Sequence, residues 1–215
     1  MSADYAVARF ANNLGSKIYR GTERYNFPII QPTERYEPVD WLGFDKAMTT
    51  RRTDVCIHFF MHDFVFERIW NNADRYIEML SRFDAVVSPD FSMYRDWPVI
   101  VQMWNHYRKH YIAARLQDRG VTVYPKISWT TEASYDWCFD GEPRHCPVVV
   151  STVGKMKNPE TKRLFLQGYQ EMLKRLEPTE VICYGKVPEE CTGNIIRIKA
   201  FYEKFEHEKP EEDST

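Results

Sequence analysis

Short apolar runs alternate with longer amphipathic stretches along most of the chain. Continuous apolar runs of this kind are typical of strands that are covered on both faces. The strand candidates are "DVCIHFFM" (54–61), "DAVVSPDF" (84–91), "VTVYPKISW" (121–129), "PVVVSTVG" (147–154) and "TEVICYG" (179–185), and "NIIRIKAFY" (194–202) is either a sixth strand or the start of a terminal helix.

Three stretches between these runs have the polarity pattern of helices. The first is 66–83, the second is 96–120, and the third lies in "NPETKRLFLQGYQEMLKRLEP", where Pro178 predicts the end of the helix. Strands that alternate with helices in this way are the signature of a mostly parallel sheet. The sequence therefore predicts the α/β class, with a sheet of about five or six strands and helices on both faces. The pattern leaves two forms open: a doubly wound sheet and an incomplete, barrel-like sheet.

The second helix carries the clearest boundary signals. Asp96 is a candidate N-cap, Pro98 suits the first turn, and Gly120 suits the end. His106 and His110 share a face of this helix, but no HExxH motif accompanies them, so an exposed polar surface is favoured over a metal-binding pair. Apolar residues at three- and four-residue steps predict a core stripe of Ile100, Met103, Trp104, Tyr107, Tyr111 and Ala114.

The chain divides into three parts by composition. Residues 1–50 lack a clear period and contain prolines, so they are predicted to be an arm that packs on the domain. Residues 51–202 are predicted to be a single α/β domain, the usual outcome for a chain of 215 residues. The polar, acidic stretch 203–215 is predicted to be a tail that frays.

Composition and charge narrow the function classes. A net charge of −2 and a pI near 6.3 argue against a protein that mainly coats nucleic acid, although a local basic patch stays open. No apolar run approaches the length of a membrane helix, and no signal peptide is recognised. The five cysteines form no CxxC pair, which fits reduced thiols. A location in the cytoplasm of a bacterial host, away from the membrane, is expected.

Polar residues follow the apolar runs, at the strand ends where a parallel sheet binds its ligands. Asp63 and Asp90 are the candidate catalytic residues, since on neighbouring strands they could share a divalent cation or divide acid and base roles. The alternative is two separate capping or solvated carboxylates. No residue is assigned as a metal ligand; a divalent cation is possible, and the cofactor is otherwise open. The candidate ligand-binding residues are Ser92, Arg95, Gln102, Asn105, Arg108, Ser128, Trp129, Ser151, Gly154, Lys155 and Tyr184.

Two of these candidates have two possible roles, and one loop segment has a composition that suits the binding of an anion. Gln102 and Asn105 could reach a ligand or could hydrogen-bond neighbouring loops. The segment "STVGKMKNPE" (151–160) combines hydroxyls, a glycine and lysines between a strand and a helix, where backbone N–H groups can hold a phosphate or a carboxylate. It lacks the spacing of a Walker A loop.

The assembled segments resemble an uncharacterised domain family that is common in phages, prophages and bacterial mobile elements. The stretches that carry the resemblance are "FERIWNNADRYIEML", "VVSPDFSMYRDWPVIVQMWNHYR", "VTVYPKISWTTEASYDWCFDG", "VVVSTVG" and "VICYG". They cover roughly residues 44–186, and the "SPDFS…QMWNHYR" part is the most specific. The resemblance implies a viral or mobile-element origin and transfers no catalytic role.

Three functions remain open at this stage. The first is a protein with a strand-end pocket for a phosphate-containing ligand, such as a nucleotide- or nucleic-acid-processing enzyme. The second is a non-catalytic protein that binds a host or phage protein or a host signal. The third is a DNA-binding replication accessory factor. The oligomeric state is open, and the candidate basic face for DNA consists of Arg51, Arg52, Arg108, Lys109 and Arg115.

Overall fold

Seven parallel strands, arranged in chain order, form the framework of the protein. The computed structural model describes residues 17–37 and 39–204. The first four strands make one sheet and the last three another, and a parallel bridge between Lys126 and Val149 joins the two. The strands are β1 (Asp40–Gly43), β2 (Val55–His58), β3 (Ala85–Val87), β4 (Thr122–Tyr124), β5 (Val148–Ser151), β6 (Val181–Tyr184) and β7 (Ile195–Ile198).

Alternate side chains of the strands point to two different cores, because successive residues of a strand face opposite sides. On the inner side, side chains from all seven strands meet in one cluster, in which Cys56, Tyr124 and Ile182 are buried. On the outer side, Ile57 and Val150 pack against the helices. One core shared by every strand is the property of a sheet that curls into a barrel.

The barrel is incomplete between its first and last strands. No β-pairing joins β7 to β1 among the described residues, and the gap is filled by side chains. Trp41 of β1 stacks on Tyr184 of β6, with 6.1 Å between the ring centroids. The Tyr184 hydroxyl accepts a hydrogen bond of 3.0 Å from the backbone N–H of Phe201, just after β7. The incomplete, barrel-like form of the predicted α/β fold is therefore the observed one.

Helices cover the outside of the barrel. Short helices follow β1 and β2, and two long helices connect β3 to β4 and β5 to β6. A 3-10 turn covers Glu132–Asp136, and another covers Phe201–Lys204. The α-helices are α1 (Phe44–Ala47), α2 (Asp63–Phe66), α3 (Arg68–Asn71), α4 (Ala73–Leu80), α5 (Val99–Gln117) and α6 (Pro159–Leu176).

Helix α6 follows the pattern its sequence predicts. The Asn158 side chain accepts hydrogen bonds from the N–H groups of Glu160 and Thr161, at 2.9 and 3.1 Å, and Pro159 occupies the first turn. Glu177 ends the helix in the left-handed conformation, with φ of 47°, directly before Pro178. The helix is therefore capped at both ends and buries one apolar face.

Helix α5 departs from its predicted core stripe. Tyr111 and Ala114 are buried as predicted, but Ile100 is 69% exposed and Trp104 is 43% exposed. The stripe is wrong for Ile100 and Trp104, whereas Met103 and Tyr107 are half-buried and pack against the core. Asp96 is not the N-cap either, since the helix begins after Pro98 and has no side-chain cap.

The arm and the tail were harder to delimit from sequence. Strand β1 lies inside the stretch 1–50 that the sequence assigns to an arm, because four residues are too few to show a strand period. Residues 17–37 run outside the barrel, where Phe27 packs against His106 with 4.7 Å between ring centroids. In the predicted tail 203–215, Glu203 is buried and pairs with Arg197, while residues 205–215 lie outside the described residues.

Candidate functional site

A cleft of about 700 Å³ opens at the carboxyl ends of β2 to β5. This is the end at which barrels of parallel strands bind their ligands. Eight of the predicted site residues line it. They are Asp90, Ser92, Arg95, Ser128, Trp129, Ser151, Gly154 and Lys155.

An ion pair lies on the floor of the cleft. The Lys126 ammonium pairs with the Asp90 carboxylate and donates a hydrogen bond to the Ser128 hydroxyl. Lys126 is only 4% exposed, and its backbone N–H donates to the Ser88 hydroxyl at 2.8 Å, which fixes the segment after β4. Because Lys126 neutralises it, Asp90 adds no unbalanced negative charge to the cleft.

Lys155 is a cation of the cleft, which the Asp96 carboxylate also lines. Its ammonium lies 5.7 Å from the centroid of the Trp129 ring and 5.5 Å from that of Phe165. In the part of the chain that the structure describes, this ammonium has no hydrogen-bond or ion-pair partner. Burial, and then the nearby charge of Lys126, lower the pKa of Lys155 to about 8. A cation without a counter-ion in such a site is suited to an anionic ligand.

The aromatic wall of the cleft is held rigidly. The Trp129 indole N–H donates to the carbonyl of Leu164 in α6 at 3.2 Å. The ring lies directly on Gly168, where an added Cβ would come within 2.2 Å of the indole. Any larger residue at 168 would therefore displace Trp129 from the cleft.

The loop 151–158 contributes side chains rather than a helix terminus. The first N–H groups of α6 are occupied by Asn158, as described above, and the Val153 N–H donates to the Ser151 hydroxyl at 3.3 Å. Gly154 has φ of +74° and open space around its Cα, so the loop turns sharply there and turns Lys155 into the cleft.

Asp63 and Ser92 hold each other at the edge of the cleft. Both carboxylate oxygens of Asp63 accept from Ser92, one from its backbone N–H at 3.0 Å and one from its hydroxyl at 2.7 Å. Asp63 does not line the cleft, and Asp90 is paired with Lys126 instead. The structure thus gives the two carboxylates different partners, and each is already engaged.

Three more predicted residues hold loops at the edge of the cleft by hydrogen bonds. Asn105 and Arg108 extend the contact between Asp63 and Ser92, and these four residues are called the clamp below. The Asn105 amide donates to the Ser92 carbonyl at 2.6 Å and accepts from Arg108 at 2.7 Å. Arg108 also pairs with Glu67 at 2.5 Å. Gln102 donates to the Trp97 carbonyl at 2.8 Å and accepts from Thr130 at 2.9 Å. Gln102 and Asn105 therefore hydrogen-bond the neighbouring loop, as one of the two alternatives for them states.

The remaining candidates take other positions. Arg95 pairs with Glu160 at 2.9 Å on the rim, between the cleft and a shallower charged depression beside it. Tyr184 lies in the barrel interior, away from the cleft lining. The predicted basic face is wrong for Arg108 and Lys109, which are buried, and Arg52 is paired with Asp40 and Asp54.

Comparisons with known proteins identify the family. Residues 19–202 match the family described as Domain of unknown function (DUF4417). The chain belongs to this family. The "Gene 1 protein" of Mycobacterium phage D29 is 31% identical over 186 residues, which are 85% of this chain and 68% of the phage protein. The "Gene 1 protein" of Mycobacterium phage L5 is 28% identical over 172 residues, 79% of this chain and 75% of the phage protein.

The resemblance to a phage domain family is thereby confirmed, and the DUF4417 match contains every residue that lines the cleft. No solved structure matches the chain. Within the described residues, none of the helices combines the length and apolar character needed to span a bilayer.

Two features of the site differ from what the sequence predicts. Lys126 is not among the predicted site residues, because it lies inside an apolar run; the signal for it is its position directly after Pro125, where β4 has ended. His106 and His110 were expected to be exposed, and this is wrong: both are buried, at 1% and 0% exposure. Burial, and then the charges of His110 and Lys109, lower the pKa of His106 well below 6.5, so its imidazole is neutral.

Proposed function

We propose that the strand-end cleft binds a phosphate-containing ligand of nucleotide size and that the protein is of phage or mobile-element origin. One observation carries the ligand proposal: the half-buried Lys155 presents its ammonium to the cleft and makes no direct ion pair, although the Asp90 charge acts on it. A partly desolvated cation of this kind is stabilised when a ligand supplies the opposite charge. Its relatives in mycobacteriophages support the origin.

The rest of the cleft supports a nucleotide in particular. Its volume of about 700 Å³ falls within the range of small-molecule sites, roughly 300–1,000 Å³. Arg95 on the rim and the Ser128 and Ser151 hydroxyls add donors for phosphate oxygens. Trp129 and Phe165 form an aromatic wall beside Lys155, so apolar parts of a ligand would lie against aromatic side chains.

In a nucleotide-processing enzyme, Asp90 would be the group that exchanges protons. It is one of two carboxylates that line the cleft, the other being Asp96, and it lies in contact with the Lys126 ammonium. Asp63 would act as a positioning residue, because its two hydrogen bonds to Ser92 fix the loop that carries Asp90. A divalent cation, if the reaction needs one, would have to displace Lys126 from Asp90.

The test is a thermal-shift series with inorganic phosphate, nucleoside mono- and triphosphates and a short single-stranded DNA. A ligand at 100 times its dissociation constant adds about 2.7 kcal/mol, or several degrees for a chain of this size. Wild type and Lys157→Met, an exposed control two residues away, should shift alike, whereas Lys155→Met should not. A shift of equal size in Lys155→Met, with a native circular dichroism spectrum, would contradict the proposal.

The pH dependence of binding gives a second check. Lys155 is charged below a pKa of about 8, while a phosphate monoester is a dianion above about 6. Affinity should therefore fall as the pH rises from 7 to 9, and Lys155→Arg should lose this fall because arginine stays charged. Isothermal titration calorimetry at three pH values measures the effect. If the affinity of the wild type did not change with pH, Lys155 would not be a ligand-binding residue.

A protein partner is the second candidate, and a specific surface favours it. Apolar side chains beside the cleft are exposed to solvent, and such surfaces mark interaction sites more often than not when they are contiguous. Phe64→Ser with Ile100→Lys should abolish partner capture and leave the phosphate-dependent thermal shift unchanged. The exposed residues are Phe64, Tyr94, Trp97, Val99, Ile100 and Trp104, at 81%, 53%, 37%, 57%, 69% and 43%.

A further inference from the structure

Three buried acceptor groups converge beside α5, outside the cleft. His106, His110 and Glu142 each bring one side-chain atom into a group whose members all lie within 4.8 Å of one another. All three residues are buried, and the two histidines are one helical turn apart. Small movements of these side chains would bring all three atoms into contact with one metal ion, whose bonds to nitrogen and oxygen are about 2.0–2.2 Å.

Backbone carbonyls fix which histidine nitrogens carry protons. His106 Nε2 lies 3.1 Å from the Asp140 carbonyl, and His110 Nδ1 lies 2.7 Å from the Pro28 carbonyl. A carbonyl oxygen can only accept, so both of these nitrogens donate. The opposite nitrogens, His106 Nδ1 and His110 Nε2, belong to the cluster, and an imidazole without a proton there offers a lone pair. Metal-binding histidines are oriented in this way, with the second N–H held by a carbonyl or a carboxylate.

The cluster has acceptors but lacks donors for them. His106 Nδ1 and Glu142 Oε2 are buried with no hydrogen-bond partner, and Asp140 Oδ2 in the same loop is a third such atom. His110 Nε2 faces Glu142 Oε1 at 3.1 Å, which opposes two acceptors unless a cation or an extra proton lies between them. Buried polar atoms are nearly always satisfied in folded proteins, so these atoms need a further donor or a cation beyond Lys109, which already pairs with Glu142 Oε1.

We propose that His106, His110 and Glu142 bind one transition-metal ion of the zinc type. Two imidazoles and one carboxylate are donors that zinc accepts, and imidazole does not favour calcium or magnesium. Lys109 would remain compatible with the metal, because it holds the other carboxylate oxygen of Glu142 and the carbonyl of Lys126. Glu142 Oε1 accepts from Lys109 and faces His110, and Oε2 remains without a hydrogen-bond partner.

The position of the site assigns it a structural role. The ligands come from α5 and from the loop before β5, and the carbonyl that orients His110 belongs to the N-terminal stretch at Pro28. The ion would thus tie three distant segments of the chain together. Through Lys109 it would also brace the backbone of Lys126, whose side chain lies in the cleft.

The experiment measures metal in the full chain after chelation and dialysis against zinc. Wild type should retain about one zinc per chain and melt several degrees higher than the chelated protein. His106→Gln should bind none, yet it should fold, since the glutamine amide can still donate to the Asp140 carbonyl. His145→Gln, which changes an exposed histidine, is the matched control and should bind like wild type.

Cobalt substitution distinguishes this site from a thiolate site. Cobalt bound by nitrogen and oxygen should give visible d–d bands without a strong sulfur-to-metal charge-transfer band, and His106→Gln should lack both. Zinc-free wild type, zinc retained by His106→Gln, or a thiolate band in wild type would each overturn the proposal. None of these outcomes depends on what the cleft binds.

Discussion

Helices α5 and α6 have nearly the same length, 19 and 18 residues, but they bury opposite kinds of side chain. Helix α6 buries Phe165 and Met172 and leaves Lys174 exposed. The first half of α5 leaves Ile100 and Trp104 exposed. It buries Gln102, Asn105, His106, Arg108 and Lys109.

The difference between the helices follows from what each one supports. An amphipathic helix such as α6 is stabilised by burying apolar area, and its polar face needs no specific partner. Buried polar groups are tolerated only when they are hydrogen-bonded, and α5 supplies those partners. Asn105 holds Ser92, and Gln102 holds Thr130, so the start of α5 fixes two loops that line the cleft.

Replacement of a lysine should destabilise the protein strongly in α5 and hardly at all in α6. In metal-free protein, Lys109→Met leaves Glu142 buried without its cation, which should cost about 3–5 kcal/mol. Lys174→Met in α6 changes an exposed side chain and should stay within about 0.5 kcal/mol. Urea unfolding followed by circular dichroism measures both. Equal losses of unfolding free energy in the two variants would mean that the apolar residues of α5, and not its buried ion pair, stabilise the helix.

Removal of one amide from the clamp should have the next largest effect. Asn105→Ala leaves the Ser92 carbonyl and one Arg108 N–H without their partner, at a cost of about 1–3 kcal/mol. Ligand binding in the cleft should weaken as well, since Ser92 lies on its edge. The control, Gln170→Ala on the exposed side of α6, should be neutral by the same denaturation assay. A neutral Asn105→Ala would show that the loop is held by other contacts.

The polar residue that contributes most to the stability of α6 is expected to be its N-cap, Asn158, rather than a residue in the middle of the helix. Asn158→Ala removes the acceptor for two N–H groups and should cost about 1 kcal/mol. Asn158→Asp keeps an acceptor there and should restore the stability. Thermal denaturation of the two variants separates the cap from a general effect of substitution, which would lower both melting temperatures alike.

The same contrast explains how much of the fold the sequence could predict. Helix α6 is specified by local signals, a cap, a proline and an apolar face, so its position and its ends were predictable. The polarity of α5 is specified by partners far along the chain, such as Glu142, which is 33 residues from Lys109. No local pattern contains that pairing. The packing that fills the gap in the barrel likewise depends on Trp41 of β1 and Tyr184 of β6, which are far apart in the sequence.

The site was predictable in place but not in its contacts. The rule that ligands bind at strand ends selects Asp90, Ser128 and Lys155, which line one cleft in the structure; that they bind a ligand stays a prediction. It cannot tell which polar residues face the cleft and which face each other. Asp63 and Asn105 both meet Ser92, and only the tertiary structure shows that this contact engages them.

The smallest change in stability is expected for a substitution in the exposed apolar part of α5. Ile100 is 69% exposed, so Ile100→Lys removes little buried area and should change the free energy of unfolding by less than about 0.5 kcal/mol. Met172→Lys, at a fully buried position of α6, should instead be strongly destabilising. Urea midpoints of the isolated protein compare the two. A large loss in Ile100→Lys would mean that this surface is already covered in solution, as self-association would cover it, and light scattering of the wild type would then detect the dimer.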